Sequence, residues 1–81
     1  MYKFTVPVQT SIGRRIFLFR KIFSLNGTIY QVTAFGRVSN NYFSIEFREG
    51  AWNFRNPELI VDWIKEVEQE IIKAIEEHHT E

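Results

Sequence analysis

The chain contains no cysteine among its 81 residues, and it has no long run of apolar residues. Without cysteine it can form no disulfide scaffold and no thiolate zinc site, and it has no thiol nucleophile. No apolar segment approaches the roughly 20 residues that a membrane-spanning helix needs. The first seven residues also lack the continuous apolar stretch of a signal peptide. From these absences we expect an intracellular, cytoplasmic protein that makes no contact with a membrane.

Residues suited to catalysis are equally scarce. The only histidines are His78 and His79, so the body of the chain holds no general base for a Ser–His triad. On a helix these two neighbours point about 100° apart and cannot share a metal ion as an i, i+4 pair does. We expect them at a solvated, frayed helix end, and most carboxylates on a solvated helix face. The sequence thus predicts a protein that is not an enzyme and that holds no metal or cofactor.

The composition indicates one small folded domain over residues 1–81. Apolar residues make up 44% and aromatic residues 16% of the chain, values typical of a globular protein rather than a disordered one. A chain of this size buries only a marginal core, and association with a second subunit or a partner often supplies the missing burial. We therefore expect a single domain that forms a homodimer.

The net charge of zero conceals a division between two parts of the chain. Residues 1–55 hold eight basic and two acidic residues, whereas residues 56–81 hold two basic and eight acidic ones, so the parts carry +6 and −6. Twelve of the 13 aromatic residues also precede residue 56. Such asymmetry is an indication of binding to nucleic acids or membranes. It also follows in part from the preference of strands for aromatic residues and of helices for glutamate.

Alternation of apolar and polar residues predicts an antiparallel sheet in the first part of the chain. Pro7 interrupts the first alternating segment, and because proline cannot donate to a ladder we expect an edge strand there. Asn26-Gly27 is the strongest short hairpin signal, since a type I′ turn needs positive φ at both central residues. The predicted strands cover about residues 2–9, 14–24, 28–38, 42–48 and 51–55.

The remaining residues predict one long helix over about 57–78. Asn56 is a suitable N-cap, Pro57 fits the first helical turn, and Glu58 favours the positive end of the helix dipole. Such a helix spans about 33 Å and exceeds an eight-residue strand of about 27 Å, so its distal part should extend past the sheet and pair with a second subunit. The predicted fold is an α+β domain: an antiparallel four- to five-stranded curved sheet followed by one long C-terminal amphipathic helix.

The turns also fix which residues share a face of the sheet. A two-residue turn at Asn26-Gly27 would pair Phe17 with Gly36. A second turn at Asn40-Asn41 would pair Gly36 with Ile45. Under the helix we then expect a core face of Phe17, Phe19, Phe23, Tyr30, Val32, Ala34, Val38, Phe43, Ile45 and Phe47. The opposite face would carry Ile16, Leu18, Arg20, Ile22, Ile29, Gln31, Thr33, Phe35, Arg37, Tyr42, Ser44, Glu46 and Arg48.

This opposite face mixes arginines with aromatic and aliphatic side chains, which is unusual for a solvated surface. Arginine pairs with phosphate and stacks on base planes, and aromatic rings stack on the bases of single strands. The candidate nucleic-acid-binding residues are Arg14, Arg15, Arg20, Phe35, Arg37, Tyr42 and Arg48. We expect Arg20, Arg37 and Arg48 to contact phosphate. Phe35 and Tyr42 would then stack on bases.

The same residue types also suit an interface between proteins, which is enriched in arginine and aromatic residues. The alternative function is therefore a homodimeric interaction or inhibitory module, viral or accessory, whose apolar sheet face is buried against a partner. Trp52 and Phe54 stay open at this point, because their spacing fits both the core and a binding groove.

Two segments of the first hairpin resemble a known family. Residues 13–19 (GRRIFLF) and 26–32 (NGTIYQV) look like the opening hairpin of a Pur-alpha-type repeat, in which a basic pair precedes an aromatic strand and a glycine turn follows. Residues 51–54 (AWNF) and the amphipathic segment after them are similar to the ββββα unit of Pur, Whirly and positive-cofactor-four-type proteins. The resemblance covers most of residues 11–75. It implies curved sheets, pairing of two units through their helices, and binding of single-stranded DNA or RNA.

Overall fold

A computed structural model of the protein describes residues 2–25 and 27–79. Its main element is an antiparallel sheet of five strands that curls into a half-barrel, with the strands side by side in sequence order. The strands are β1 (Lys3–Thr10), β2 (Gly13–Ser24), β3 (Gly27–Ala34), β4 (Asn41–Arg48) and β5 (Ala51–Phe54). The predicted antiparallel sheet is confirmed, and β1 is an edge strand, as Pro7 indicates.

The continuous helix predicted over 57–78 is not confirmed. A 3₁₀ turn (Pro57–Leu59), a short helix α1 (Asp62–Lys65) and an 11-residue helix α2 (Glu68–His78) take its place. Asn56 precedes the 3₁₀ turn, but its side chain makes no capping hydrogen bond there. α2 is about 16 Å long, half of the predicted length. None of the helices in the described part of the chain is long and apolar enough to cross a membrane.

Two breaks divide the helical segment, and both lie at β-branched residues. Ile60 and Val61 have extended backbones with ψ of 131° and 154°, a conformation that suits branched side chains. Val67 leaves helical geometry with φ of −110° and ψ of 25°. Glu66 and Glu70 also place like charges one turn apart across the second break, which disfavours an uninterrupted helix. Propensity and repulsion thus act together to divide a segment whose apolar spacing alone predicts one helix.

The core lies between one face of the sheet and the helical segments. Its buried apolar residues are Val8, Phe17, Phe19, Tyr30, Val32, Ala34, Ile45, Trp52, Phe54, Ile60, Ile64, Val67, Ile71, Ala74 and Ile75. Because Ile71 and Ile75 are fully buried within one chain, α2 does not extend past the sheet, and its apolar side is covered without a second subunit. Trp52 and Phe54 are also buried, so both belong to the core rather than to a binding groove.

β2 and β3 pair two residues away from the predicted register. Phe17 lies opposite Ala34 rather than Gly36, and Ser24 lies opposite Gly27. Asn26, the first residue of the predicted turn, lies outside the described residues. Because side chains alternate with a period of two, a shift of two residues keeps each side chain on its predicted face.

β3 ends at Ala34, and residues 35–40 form a loop instead of the predicted strand end and Asn40-Asn41 turn. Phe43 therefore pairs with Val32, which lies six residues before Val38, the predicted partner of Phe43. Six is again an even number, so the assignment of β4 side chains to the two faces is correct although the register is wrong.

Three residues predicted in the core are exposed: Phe23 by 75%, Val38 by 99% and Phe47 by 51%. Val38 lies in the 35–40 loop, where Gly36 comes so close to the Ser39 carbonyl that a Cβ atom would collide with it. Phe23 and Phe47 lie near the ends of β2 and β4, on a part of the core face that the helices leave uncovered. Alternation assigns a face but does not show how far along that face the helices reach.

His78 and His79 do not form the solvated end that their position predicts, because both pack against aromatic rings of the sheet. The His78 ring stacks on Phe4 with 4.1 Å between centroids and 7° between planes. His79 Nδ1 lies 3.1 Å from the Tyr30 hydroxyl oxygen, and its ring meets Trp52 edge to face at 5.3 Å. These rings fix the end of α2 to β1, β3 and β5.

Tyr30 should make the fold sensitive to alkali. Burial, and secondly the neighbouring Tyr2 hydroxyl, raises the pKa of Tyr30 from 10.0 to about 12. Below pH 10 folded and unfolded chains both keep this proton. Between pH 10 and 12 the unfolded chain loses it first, so the free energy of unfolding should fall as pH rises, by on the order of 2 kcal/mol.

Urea unfolding at about pH 9 and about pH 11.5 measures this loss, with Tyr30→Phe as the control. The variant is expected to be less stable at pH 9, because it lacks the hydroxyl that meets His79, but its stability should decline less between the two pH values. An equal decline in both proteins would assign the alkaline sensitivity to other groups.

Candidate nucleic-acid interface

Strand alternation places a second set of side chains on the face of the sheet away from the helices, which we call the outer face. One polar residue from each of the strands β1 to β4, and one directly after β5, form a line across it, which we call the polar row: Lys3, Arg20, Gln31, Ser44 and Arg55. The register pairs Lys3 with Arg20 and Arg20 with Gln31, and Ser44 lies opposite Gln31 on the next strand. The Arg55 amide then donates to the Ser44 carbonyl oxygen at 2.9 Å. This polar row is about 19 Å long and contains three cations.

An apolar strip lies directly beside the polar row. Leu18 pairs with Thr33, and Thr33 pairs with Tyr42. Two residues before Leu18 on β2, the Ile16 carbonyl accepts a hydrogen bond of 3.0 Å from the Phe35 amide. This hydrogen bond places Phe35 next to Ile16. Tyr42 is 73% and Phe35 38% exposed. The outer face therefore presents two accessible aromatic rings, together with Ile16 and Leu18, alongside a row of cations.

Tyr42 stands between two open clefts. The first, of about 240 Å³, is lined by Arg20, Gln31 and Ser44 besides the Tyr42 ring. The second, of about 310 Å³, lies on the other side of Tyr42 and is lined by Arg55, Asn56, Leu59 and Ile60. It is open because β5 is short and pairs only with the second half of β4. Each cleft thus joins the Tyr42 ring to one arginine.

The cations of the outer face differ in how far they are neutralised. Arg48 Nη1 lies 2.8 Å from Glu46 Oε2, and Arg55 Nε lies 3.6 Å from Glu46 Oε1. Both ion pairs are solvent-accessible, so the attraction between Glu46 and each arginine is weak. Arg20 forms no ion pair within residues 2–25 and 27–79; its Nη2 donates to Gln31 Oε1 at 3.1 Å. Arg20 is therefore the arginine whose charge is most available to an anion.

The structure places two of the seven predicted binding residues, Arg20 and Tyr42, in one cleft, and a third, Phe35, further along the same face next to Ile16, four residues from Arg20 on β2. Arg14 shares their face, but it lies six residues from Arg20 along β2, about 20 Å away, where it pairs with Gln9. It stands at the opposite end of the apolar strip from the polar row.

The remaining predicted residues lie outside this cluster. Arg37 is exposed in the 35–40 loop, and Arg48 is held by Glu46 at the far end of β4. Arg15 is on the helix side of β2, where its Nη2 donates to the Ile12 carbonyl oxygen at 3.0 Å. Two consecutive arginines on a strand necessarily point to opposite faces, so the basic pair cannot act as one unit on the outer face.

Four members of the polar row have no place among the predicted binding residues. Gln31 and Ser44 are assigned to the correct face by alternation, but nothing in the sequence marks them as part of a site. Lys3 can be placed in the row only once the pairing of β1 with β2 is known. Arg55 can be placed in the row only when it is known that its amide continues the hydrogen-bond ladder between β4 and β5 beyond the end of β5.

Comparison with protein-family models, with curated proteins and with solved structures gave no match for this chain. The resemblance to Pur-alpha-type repeats stays a prediction. The chemistry of the outer face is therefore the basis for a functional proposal.

Proposed function

We propose that the protein binds single-stranded nucleic acid on its outer face and catalyses no reaction. The observation that carries this proposal is the position of Tyr42, a largely exposed ring between two clefts that each contain an arginine of the polar row. Binding of single strands needs cations that follow the phosphates and rings on which unstacked bases lie. The polar row and the apolar strip supply these two groups side by side.

In this arrangement the strand runs across the sheet, with its phosphates along the polar row. Arg20 and Arg55 contact phosphate on the two sides of Tyr42, and Lys3 extends the row to the edge strand. Bases turn towards the apolar strip, where one stacks on Tyr42 and another reaches Phe35. A duplex has its bases already stacked and paired, so it would gain only the phosphate contacts.

The charge division supports the same orientation. Among the described residues, the acidic ones after residue 56 lie in or directly between the helical segments, and those segments cover the core face of the sheet. Glu66, Glu70, Glu76 and Glu77 are exposed there. A polyanion is thus repelled from the helix side and attracted to the outer face, which favours one docking orientation.

Fluorescence anisotropy with a labelled oligodeoxythymidine of about 12 nucleotides tests the proposal, since this length fits the site sizes of such binders. We expect micromolar or tighter binding at low salt. Three phosphate contacts, by Lys3, Arg20 and Arg55, predict a slope of about −2 in a plot of log affinity against log salt. A duplex of the same length serves as the control and should bind more weakly. No binding at tens of micromolar protein would refute the proposal.

An interface between two copies is the second candidate for the outer face. Ile16 is 42% exposed and lies next to Phe35 and Leu18, so two such strips could cover each other. Light scattering separates the candidates. A dimeric mass that Leu18→Ala or Phe35→Ala reduces, without any binding of oligonucleotide, would favour the interface, whereas a monomeric mass with oligonucleotide binding would favour the nucleic-acid function.

A further inference from the structure

The first cleft beside Tyr42 contains an amide whose orientation is fixed by its neighbour. Arg20 Nη2 donates to Gln31 Oε1 at 3.1 Å. A guanidinium has five N–H donors and no acceptor, so only the oxygen of the Gln31 amide can face it. The Gln31 Nε2 group, with two N–H donors, is then directed away from Arg20 and makes no hydrogen bond to another described residue.

The other polar groups of this cleft do not oppose that bias. Arg20 can only donate. Ser44, opposite Gln31 on β4, and Thr33, two residues along β3, have hydroxyl groups that can donate or accept. No carboxylate lines the cleft in the described part of the chain. The fixed donors of the cleft are thus the Arg20 guanidinium and Gln31 Nε2, and a ligand group that meets them must supply acceptors.

We propose that the cleft selects a keto base (thymine, uracil or guanine) that stacks on Tyr42 and accepts a hydrogen bond from Gln31 Nε2 at its exocyclic carbonyl oxygen. This inference rests on the proposed function and adds a base preference to it. Cytosine and adenine carry an amino group at the corresponding position, so they would place donor against donor. Arg20 has two roles in this site, because it attracts phosphate and also holds the Gln31 amide in the orientation that recognises the base.

Thymine and cytosine give the sharpest comparison, since both are pyrimidines: thymine has a carbonyl at position 4 and an N–H at position 3, whereas cytosine has an amino group and an acceptor nitrogen there. Thymine also carries a 5-methyl group, whose contribution does not depend on Gln31 and is separated by the Gln31 variants. One hydrogen bond gained against one donor left unpaired corresponds to a preference of about 3- to 10-fold. Labelled oligodeoxythymidine is titrated with protein and displaced by unlabelled oligodeoxythymidine or oligodeoxycytidine of the same length. A pH of about 8 keeps cytosine neutral, and low salt keeps binding measurable.

Two variants of Gln31 identify the group responsible. Gln31→Leu removes the donor and should bring the two affinities to within about twofold of each other. Gln31→Glu replaces the amide nitrogen by an acceptor and should weaken both oligonucleotides while shifting the ratio towards cytidine. Gln31 is exposed, so both variants should keep the fold, which thermal melting checks.

The outcomes are distinct from those of the proposed function. If neither oligonucleotide binds, the proposed function fails and the base preference fails with it. If both bind equally well with the expected salt dependence, the proposed function stands and the base preference is wrong. A preference that persists unchanged in Gln31→Leu would also overturn the assignment to this amide.

Discussion

Replacing Arg20 by glutamate should weaken the binding of oligodeoxythymidine by about 10- to 100-fold at low salt. Hydrogen bonds to charged groups contribute roughly 1.5–3 kcal/mol, and each 1.4 kcal/mol is a factor of ten in affinity. Arg20 is the central cation of the polar row and forms no ion pair with a described carboxylate. A carboxylate in its place would also repel the phosphate that the arginine attracts.

The salt dependence should change together with the affinity. Loss of one phosphate contact lowers the magnitude of the slope by about 0.7 for a single strand. Anisotropy titrations at four or so salt concentrations would measure both quantities for each protein.

Lys73→Glu is the matched control for this variant. It changes the net charge by the same amount, but Lys73 is exposed on α2, on the helix side of the sheet. It should alter the affinity by less than about twofold, since charges beyond a Debye length are largely screened. Equal losses in the two variants would show that binding follows net charge and does not depend on the polar row.

The assignment of side chains to faces could be predicted from the sequence, whereas the registers could not. Phe17 and Val32 are on the core face, and Tyr42 is on the outer face, although both predicted turns are misplaced. The reason is that the two errors, of two and six residues, are both even. Strand pairing has a period of two, so patterning tolerates an even slip. Local turn signals cannot replace the packing that selects the register.

The helical segment shows where one-dimensional patterning is insufficient. A 3.6-residue period fits Ile60, Ile64, Val67, Ile71 and Ile75 in one continuous helix, yet the chain breaks at positions 60–61 and at 67. Packing these side chains against a curved sheet requires the helical segment to change direction, and the 3.6-residue period does not indicate where such changes occur. The contacts of His78 with Phe4 are likewise long-range, and nothing near them in the sequence indicates them.

Only part of the candidate site could be predicted, for the same geometric reason. Residue types that suit nucleic acid are visible in the sequence, and alternation assigns Arg20 and Tyr42 to one face, but the predicted register does not make them neighbours. The row itself is perpendicular to the strands, so its members are far apart in the chain. Lys3 and Arg55 enter the site only when the pairing of both outer strands is known.

Phe19→Ala should destabilise the fold far more than Phe23→Ala, although both rings are on the same face of β2. Phe19 is fully buried, stacks on Phe4 with 4.8 Å between centroids, and meets Tyr30 edge to face. Truncation of a buried phenylalanine costs about 3–5 kcal/mol. A domain of this size has a total stability of about 4–12 kcal/mol, so the variant would lose a large part of it.

Phe23 is the matched control because it is the same residue four positions along the same strand, but 75% exposed. Its described contact is with Lys21, whose Nζ lies 5.2 Å from the ring centroid, an interaction of about 0.5–1 kcal/mol at an exposed site. Urea unfolding followed by the fluorescence of the two tryptophans measures both variants. If Phe19→Ala does not fold, Phe19→Leu should still fold and lose less stability.

The comparison also tests how the core supports the outer face. Phe19 and Arg20 are consecutive on β2, so the ring that fixes the strand against Phe4 and Tyr30 also fixes the backbone from which Arg20 projects. Phe19→Leu is therefore expected to lower stability while it remains folded and binds oligodeoxythymidine, whereas Arg20→Glu should lower binding and leave stability nearly unchanged. Equal destabilisation by Phe19→Ala and Phe23→Ala would mean that the helices cover this face differently, and the distinction between the covered and uncovered parts of the core face would be wrong.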